Sequence, residues 1–337
     1  MNIIILLLGF VLLVKGADIF VEGSSTIAKI LKIPPLIIGL TIVAFGTSAP
    51  EAAVSITAAL NGQNGMAMGN VVGSNIFNLL MVVGISGFIK TLSVDKAIIS
   101  KEFPFLLLTS ILLFVLTFDV SLQGTTTNIL SRGDGLVLLM FFAIFMYSLL
   151  KSALSSMNNP SLEETSISFD SSSIGYNDDI LVKEKTNSKV LIKNILASVI
   201  GIILIILGGN MVVSSASNIA SDFGVSDQLI GLTIVSIGTS LPEFVTSIIA
   251  AIKGESSIAL GNVIGSNMFN ILFVLGASAT ISPMSIDPVL FIDTLFMIIV
   301  TLITYLFAIQ KRDINKVESI VLVLLYIGYM AYLLISA

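Results

Sequence analysis

Cysteine and histidine are both absent from this chain of 337 residues. Without cysteine there is no disulfide, no thiolate metal site and no thiol redox chemistry. Without histidine the usual ligand of transition metals is missing, and so is the side chain that titrates nearest neutrality. Charge is scarce too: Asp, Glu, Lys and Arg make up 11% of the residues. A chain so poor in charge and 55% hydrophobic, with mean hydropathy +1.04, is not an ordinary water-soluble globule. Its pI near 4.8 comes from acidic loops and carries no sign of nucleic-acid binding.

What the chain does have is a succession of apolar runs about 17–25 residues long, the length that crosses a bilayer. The runs are continuous rather than alternating, which excludes a β-barrel. No basic segment precedes the first run at Asn2, so it reads as a retained helix rather than a cleaved signal. The pattern predicts ten helices, at 2–24, 35–60, 66–89, 103–118, 134–152, 190–216, 228–252, 257–280, 288–309 and 317–336. Pro34, Pro35, Pro104 and Pro288 fall near helix starts, where a missing N–H costs nothing. Residues 153–189 are the one extended polar stretch (SLEETSISFDSSSIGYNDDI lies within it) and read as a flexible linker. Two halves result, 1–152 and 190–337, of five helices each.

With ten spans, Lys and Arg sort 14 to 1 between the two sets of alternating loops, Arg132 being the exception. The positive-inside rule then places both termini outside the cell membrane and the linker in the cytoplasm. Five is an odd number, so the second half enters the membrane from the opposite side. Inverted repeats of this kind mark transporters whose binding site lies near the midplane.

The halves are related in sequence. Residues 39–86 return at 231–278 after a shift of 192 with no gap, and 28 of the 48 positions are identical. Thr47, Glu51 and Ser55 are spaced i, i+4, i+8, as are Thr239, Glu243 and Ser247. Gly46 with Pro50, and Gly238 with Pro242, interrupt these helices and free a carbonyl one turn back. Carbonyls freed at membrane depth are tolerated where they line a cavity, and a cation can use them there. A proline kink with back-bonded Thr and Ser is the simpler account, but it leaves the glutamates unexplained. A carboxylate at the bilayer centre costs at least about 2.5–3.5 kcal/mol.

The third and eighth helices carry Asn70, Ser74, Asn78 and their counterparts Asn262, Ser266, Asn270. Such groups serve either as hard-cation ligands or as interhelical hydrogen bonds. Beside the glutamate helices, the ligand reading is preferred for Ser74, Asn78, Ser266 and Asn270, whereas Asn70 and Asn262 read as capping or packing groups. The first and sixth helices carry Gly9, Gly16, Gly23 and Gly201, Gly208, Ser215, a smooth face suited to sliding or to static close packing. Lys15, Asp18 and Glu22 lie on neighbouring turns of the first helix and are expected to pair among themselves.

GTSAPE with GNVVGSNIFN, repeated as GTSLPE with GNVIGSNMFN, closely resembles the repeats of the cation/Ca²⁺ antiporters, above all the prokaryotic sodium/calcium exchangers. The resemblance implies an all-α polytopic membrane protein of ten transmembrane helices in two inverted repeats, with helices two, three, seven and eight broken around a midplane ion site. It implies that Glu51 and Glu243 are the central ligands. Thr47, Ser48, Thr239, Ser240, Ser74, Ser266, Asn78 and Asn270 would surround them, with backbone carbonyls near Ala44 and Ser236. It also implies that the first and sixth helices slide across the other eight. In one respect the chain departs: some relatives, the potassium-co-transporting branch among them, carry Asp where this chain has Asn270.

The expected function is an antiporter that exports Ca²⁺ using inward Na⁺, both ions being cargo, with no cofactor and the lipid bilayer as surroundings. A Ca²⁺/H⁺ exchanger and a cation channel are the alternatives. An intramembrane enzyme is disfavoured because no nucleophile–base pair stands out.

Overall fold

In lipid every backbone polar group must find its partner within the chain, and continuous apolar sequence meets that demand as helix. The computed structural model describes residues 2–120, 124, 127–158, 188–223, 236–286 and 290–336. Its long helices are α1 (Asn2–Leu31), α4 (Asn64–Ile89), α5 (Ile98–Leu116), α6 (Arg132–Asn158), α7 (Ser188–Asp222), α10 (Ser256–Ile281), α11 (Leu290–Lys311) and α12 (Lys316–Ser336). Between α1 and α4 lie α2 (Pro35–Thr47) and α3 (Ala49–Leu60), two halves of one span bent by 51°. Between α7 and α10 lie α8 (Ser236–Thr239) and α9 (Leu241–Lys253). Among the described residues eight helices are long and apolar enough to cross a membrane, or nine with the bent pair. The expected seventh span includes 228–235, and those residues lie outside the description, as do Pro288 and most of the 153–189 linker.

Two expectations change. Helices three and eight are not broken. They contain no proline, and α4 and α10 run through with a π-helical stretch in each, at Asn78–Val82 and Phe269–Leu275. The first, fifth and sixth helices also continue to Leu31, Asn158 and Asp222, each six or seven residues past its expected end at 24, 152 and 216.

α4 and α10 form the centre: 72% and 94% of their membrane segments are buried, against 17% for α6 and α7 at the lipid-facing rim. α1 and α7 pack through their glycines. A Cβ on Gly16 would come within 2.9 Å of the Gly201 carbonyl, and one on Gly208 within 2.7 Å of the Gly9 carbonyl. Partner numbers fall as residue numbers rise, so these two corresponding helices run antiparallel.

Four short strands tie the halves together. β1 (Leu92–Ser93) pairs antiparallel with β4 (Asp313–Ile314), and β2 (Ile129–Leu130) with β3 (Met284–Ser285). Lys90 Nζ reaches the Ile252 carbonyl at 3.5 Å, Ser257 donates to Asp95, and Lys29 pairs with Glu255 at 3.6 Å. These contacts bring the loops after helices one, three, seven and nine to one end of the molecule. Asn64, bonded to Ser285 at 3.1 Å, belongs with β2 and β3 at the other. The lysine-rich loops among the described residues therefore share one end.

Candidate cation site

The bent span places Glu51 where a carboxylate is best tolerated. Ser48 leaves the helical path (φ −81°, ψ 6°), and α3 starts with Pro50 and Glu51 in its first turn. Ser240 does the same (φ −89°, ψ 4°) ahead of Pro242 and Glu243 in α9. Each proline has no N–H to lose at that position, and each glutamate lies at the positive end of a half-helix. The break also means that Thr47 and Glu51 stand on different helices, not on one continuous stripe.

Both glutamates are wholly buried. Ser48 and Ser240 do not cap their own helices; each donates across to the other copy. Ser48 Oγ reaches Glu243 Oε1 at 2.8 Å, and Ser240 Oγ reaches Glu51 Oε1 at 3.0 Å. The equivalence of the two copies extends to the asparagines. Asn70 donates to Ser55 Oγ at 2.9 Å, as Asn262 does to Ser247 Oγ at 2.9 Å. Their amides also reach the backbone carbonyls of Glu51 and Glu243, at 3.4 and 3.3 Å. Thr47 Oγ1 lies 3.0 Å from Asn262 Oδ1, and Thr239 Oγ1 lies 3.4 Å from Asn70 Oδ1. Asn70 and Asn262 are thus cross-links between the copies and do not cap a helix.

What remains unpaired is the informative part. Among the described residues, Glu51 Oε2, Glu243 Oε2, Asn78 Oδ1, Asn270 Oδ1 and Ser74 Oγ are buried without a hydrogen-bond partner. Buried acceptors left in this state each cost on the order of 1–3 kcal/mol; the two amide oxygens can only accept, and so can the two carboxylate oxygens when ionised. Ser266 Oγ lies 3.4 Å from both Glu243 Oε1 and the Ala44 carbonyl, and its single proton serves one of them. The Ala44 carbonyl also keeps its helical bond from Ser48 N at 3.0 Å. Ser236 opens α8 at the edge of the described residues. Carboxylate, amide and hydroxyl oxygens suit a hard cation, Ca²⁺ taking six to eight of them. Among the described residues no group of three or more acidic side chains assembles anywhere, so neutral oxygens must complete any such shell.

A cavity of about 370 Å³ lies between α3 and α7, lined by Pro50, Ala53, Val54, Asn210, Ser214 and Thr239 among others. On the opposite side α1 packs along α9 and is clamped there. Lys253 Nζ pairs with Asp18 Oδ1 at 2.8 Å and Glu22 Oε2 at 3.6 Å, and donates to the Asp18 carbonyl at 3.0 Å. Ser25 Oγ bonds Glu255 Oε1 at 2.6 Å. The expected pairing of Asp18 and Glu22 with Lys15 is therefore replaced by one with Lys253, which the fold brings alongside from 231 or more residues away in sequence.

A family model described as sodium/calcium exchanger protein matches residues 1–151 and 193–335. The chain belongs to the sodium/calcium exchanger family. CaxA of Alkalimonas amylolytica, provisionally named an antiporter, is 40% identical to this exchanger over 99% of it and 98% of CaxA. MaX1, a sodium/calcium exchanger of Methanosarcina acetivorans, is 33% identical over 98% of both chains. The solved structure of the sodium–calcium exchanger NCX_Mj soaked with 10 mM Na⁺ and zero Ca²⁺ superposes with TM-score 0.79 and 31% identity, covering 98% of each chain. The exchanger is thus a multi-pass membrane protein of the cation/Ca²⁺ antiporter kind.

Two residues beside the candidate site escaped the i, i+4, i+8 stripes. Asn75 and Asn267 are wholly buried and bond each other's backbone carbonyls, at 3.3 and 3.2 Å. Both lie one position after the serine of their stripe, so a period of four passes over them. Their identity in the two copies was the available signal.

Proposed function

We propose that this exchanger exports Ca²⁺ from the cell in return for inward Na⁺, at the site formed by Glu51, Glu243 and the oxygens around them. The observation that carries the reading is the set of unpaired buried acceptors, two of them carboxylate oxygens. Two ionised carboxylates give the site a formal charge of about −2, which one Ca²⁺ neutralises and which two Na⁺ neutralise equally well. Competition for the same oxygens enforces exchange when the empty, charged site crosses reluctantly. Thr47, Ser48, Ser74, Thr239, Ser240, Ser266, Asn78 and Asn270 supply the neutral oxygens, with the Ala44 and Ser236 carbonyls beside them.

The antiparallel packing of α1 on α7 and the reciprocal hydrogen bonds support two halves inverted about a common axis. The lysine-rich end takes the cytoplasmic side under the positive-inside rule, which leaves both termini outside. In that orientation the 370 Å³ cavity opens outward and the Lys253 clamp seals the inner side.

A Ca²⁺/H⁺ exchanger is the second reading. Among the described residues no ion pair joins either glutamate, so protons can replace Na⁺ as the neutralising cargo. Purified protein in vesicles, given an Na⁺ gradient and a pH gradient in separate runs, distinguishes the two. Ca²⁺ flux driven by Na⁺ at constant pH is expected. Flux driven only by the pH gradient would establish the second reading, and flux needing neither would indicate a channel.

A further inference from the structure

An asparagine serves a cation only if its oxygen, not its NH₂, faces the ion. The two ends of the amide are nearly the same size, so something must choose between them. The neighbours of Asn78 and Asn270 make that choice in a chain whose first link is fixed by the backbone. Asn75 points its side-chain amide at the Asn267 carbonyl (3.3 Å), and Asn267 points its own at the Asn75 carbonyl (3.2 Å). A backbone carbonyl can only accept, so the NH₂ ends of Asn75 and Asn267 must be the ones facing it. Their Oδ1 atoms are thereby turned outward. Asn267 Oδ1 accepts from Asn78 Nδ2 at 3.1 Å, and Asn75 Oδ1 accepts from Asn270 Nδ2 at 3.5 Å. An oxygen can receive only the NH₂ end of the next amide. Asn78 Oδ1 and Asn270 Oδ1 are left on the far side, buried and without a partner among the described residues.

We infer that Asn75 and Asn267 are positioning residues for transport: they touch no cargo, and they fix the oxygen-inward orientation of Asn78 and Asn270. The inference rests on the proposed Ca²⁺ site. It explains why two wholly buried amides lie between α4 and α10, where an apolar pair would pack without any polar group to satisfy. It also makes each copy dependent on the other, since the residue orienting Asn78 belongs to the second half and the one orienting Asn270 to the first.

The test uses the full-length protein in vesicles with Ca²⁺ as the probe. Asn75→Ala releases the Asn270 amide, which can then turn its NH₂ toward the ion. The apparent KM for Ca²⁺ is expected to rise at least tenfold while kcat changes less than threefold, and Asn267→Ala should act alike through Asn78. A merely structural role is excluded by a second substitution. Asp has an acceptor at both ends and needs no orienting, so Asn75→Ala with Asn270→Asp should recover most of the lost affinity. If Asn75→Ala does not insert, Asn75→Ser replaces it, because a serine hydroxyl is too short to reach the Asn270 amide. Unchanged KM in the single variants, or a double variant no better than the single, would overturn the inference. The parent protein run alongside separates the two ideas: if it shows no Na⁺-driven Ca²⁺ flux, the proposed function fails first.

Discussion

The clamp on α1 is charged, and the same place in the other copy is not. Under the 192-residue shift, Lys253, Gly254 and Glu255 correspond to Asn61, Gly62 and Gln63, while Asp18 and Glu22 correspond to Asn210 and Ser214. Both glycines adopt positive φ, +82° and +73°, so the turn is shared and only the charges differ. Substituting Lys253→Asn therefore removes the clamp's cation and puts the other copy's residue in its place. The lost pair is short at 2.8 Å, but the side chains are 28% and 44% exposed. Pairs in that setting contribute about 0.2–1 kcal/mol, and Glu22, 75% exposed and 3.6 Å away, adds little. A loss of about 1 kcal/mol changes the ratio of two access states by about fivefold. With no native cysteine, single cysteines report access cleanly. Ala53 lines the cavity, and its counterpart Val245 lies on α9, the helix along which α1 packs. In a Val245→Cys background, Lys253→Asn should raise the labelling rate up to fivefold at low ionic strength and less in 1 M salt, where the Debye length is about 3 Å. Building the clamp on the other side, with Asn61→Lys and Asn210→Asp, should raise it similarly. Labelling indifferent to Lys253→Asn, or raised equally at all salt concentrations, would show that the ion pair does not hold this state.

Other outcomes follow from the site. Glu51→Gln and Glu243→Gln should each lower Ca²⁺ affinity by more than about a hundredfold, as removing one partner of a buried ion pair costs about 3–5 kcal/mol; calorimetry and vesicle flux check this. The double variant should be little worse than either single one, because the carboxylates act as a unit, and Glu→Asp should do less harm. Gly208→Ala places a Cβ 2.7 Å from the Gly9 carbonyl and should part α1 from α7, slowing flux several-fold while Ca²⁺ binding stays within about threefold, if the two helices move as one across the rest. Unaltered flux per inserted molecule would show that this close seam is not needed for transport. Replacing all K⁺ with an inert organic cation should leave transport unchanged, since Asn270 supplies oxygen but no charge; a strict K⁺ requirement would contradict it. A cysteine at Ser172 should resist impermeant reagents in intact cells, and labelling from outside would reverse the proposed orientation.

Much of the architecture could be read from one sequence because lipid leaves few choices. Helix existence followed from apolar length alone, and α4, α5, α10, α11 and α12 begin and end within five residues of expectation. The breaks at Ser48 and Ser240 were legible from proline, whose effect on the backbone is local. The π-helical stretches at Asn78 and Asn270 were not, since they depend on how α4 and α10 pack and leave no residue signature. The pairing of Asp18 with Lys253 was out of reach for the same reason. Sequence neighbours suggested Lys15, and only the packing of α1 along α9 shows which cation comes alongside. The orienting role of Asn75 needs more still: backbone carbonyls of a different helix decide which end of its amide is the oxygen.

Duplication sets a problem that the clamp answers. In the four helices that carry the candidate ligands, the hydrogen bonds exchange almost term for term under the 192-residue shift: Ser48 to Glu243 with Ser240 to Glu51, Asn78 to Asn267 with Asn270 to Asn75. A site so evenly shared cannot itself decide which side of the membrane it faces, because exchanging the copies returns nearly the same contacts. A difference between the two access states has to come from residues that break the correspondence. Asp18 against Asn210, Glu22 against Ser214, Lys253 against Asn61 and Glu255 against Gln63 break it, all on α1, α7 or the turn after a glutamate helix. Each departure puts charge on one side and a neutral group on the other, of nearly the same size for Asp18 against Asn210 and Glu255 against Gln63. The electrostatic difference is then about 1 kcal/mol for a half-exposed pair, large enough to favour one state and small enough for bound ions to reverse. A transporter that must pass through both states on every cycle needs a bias of that order, and a deeper one would trap it.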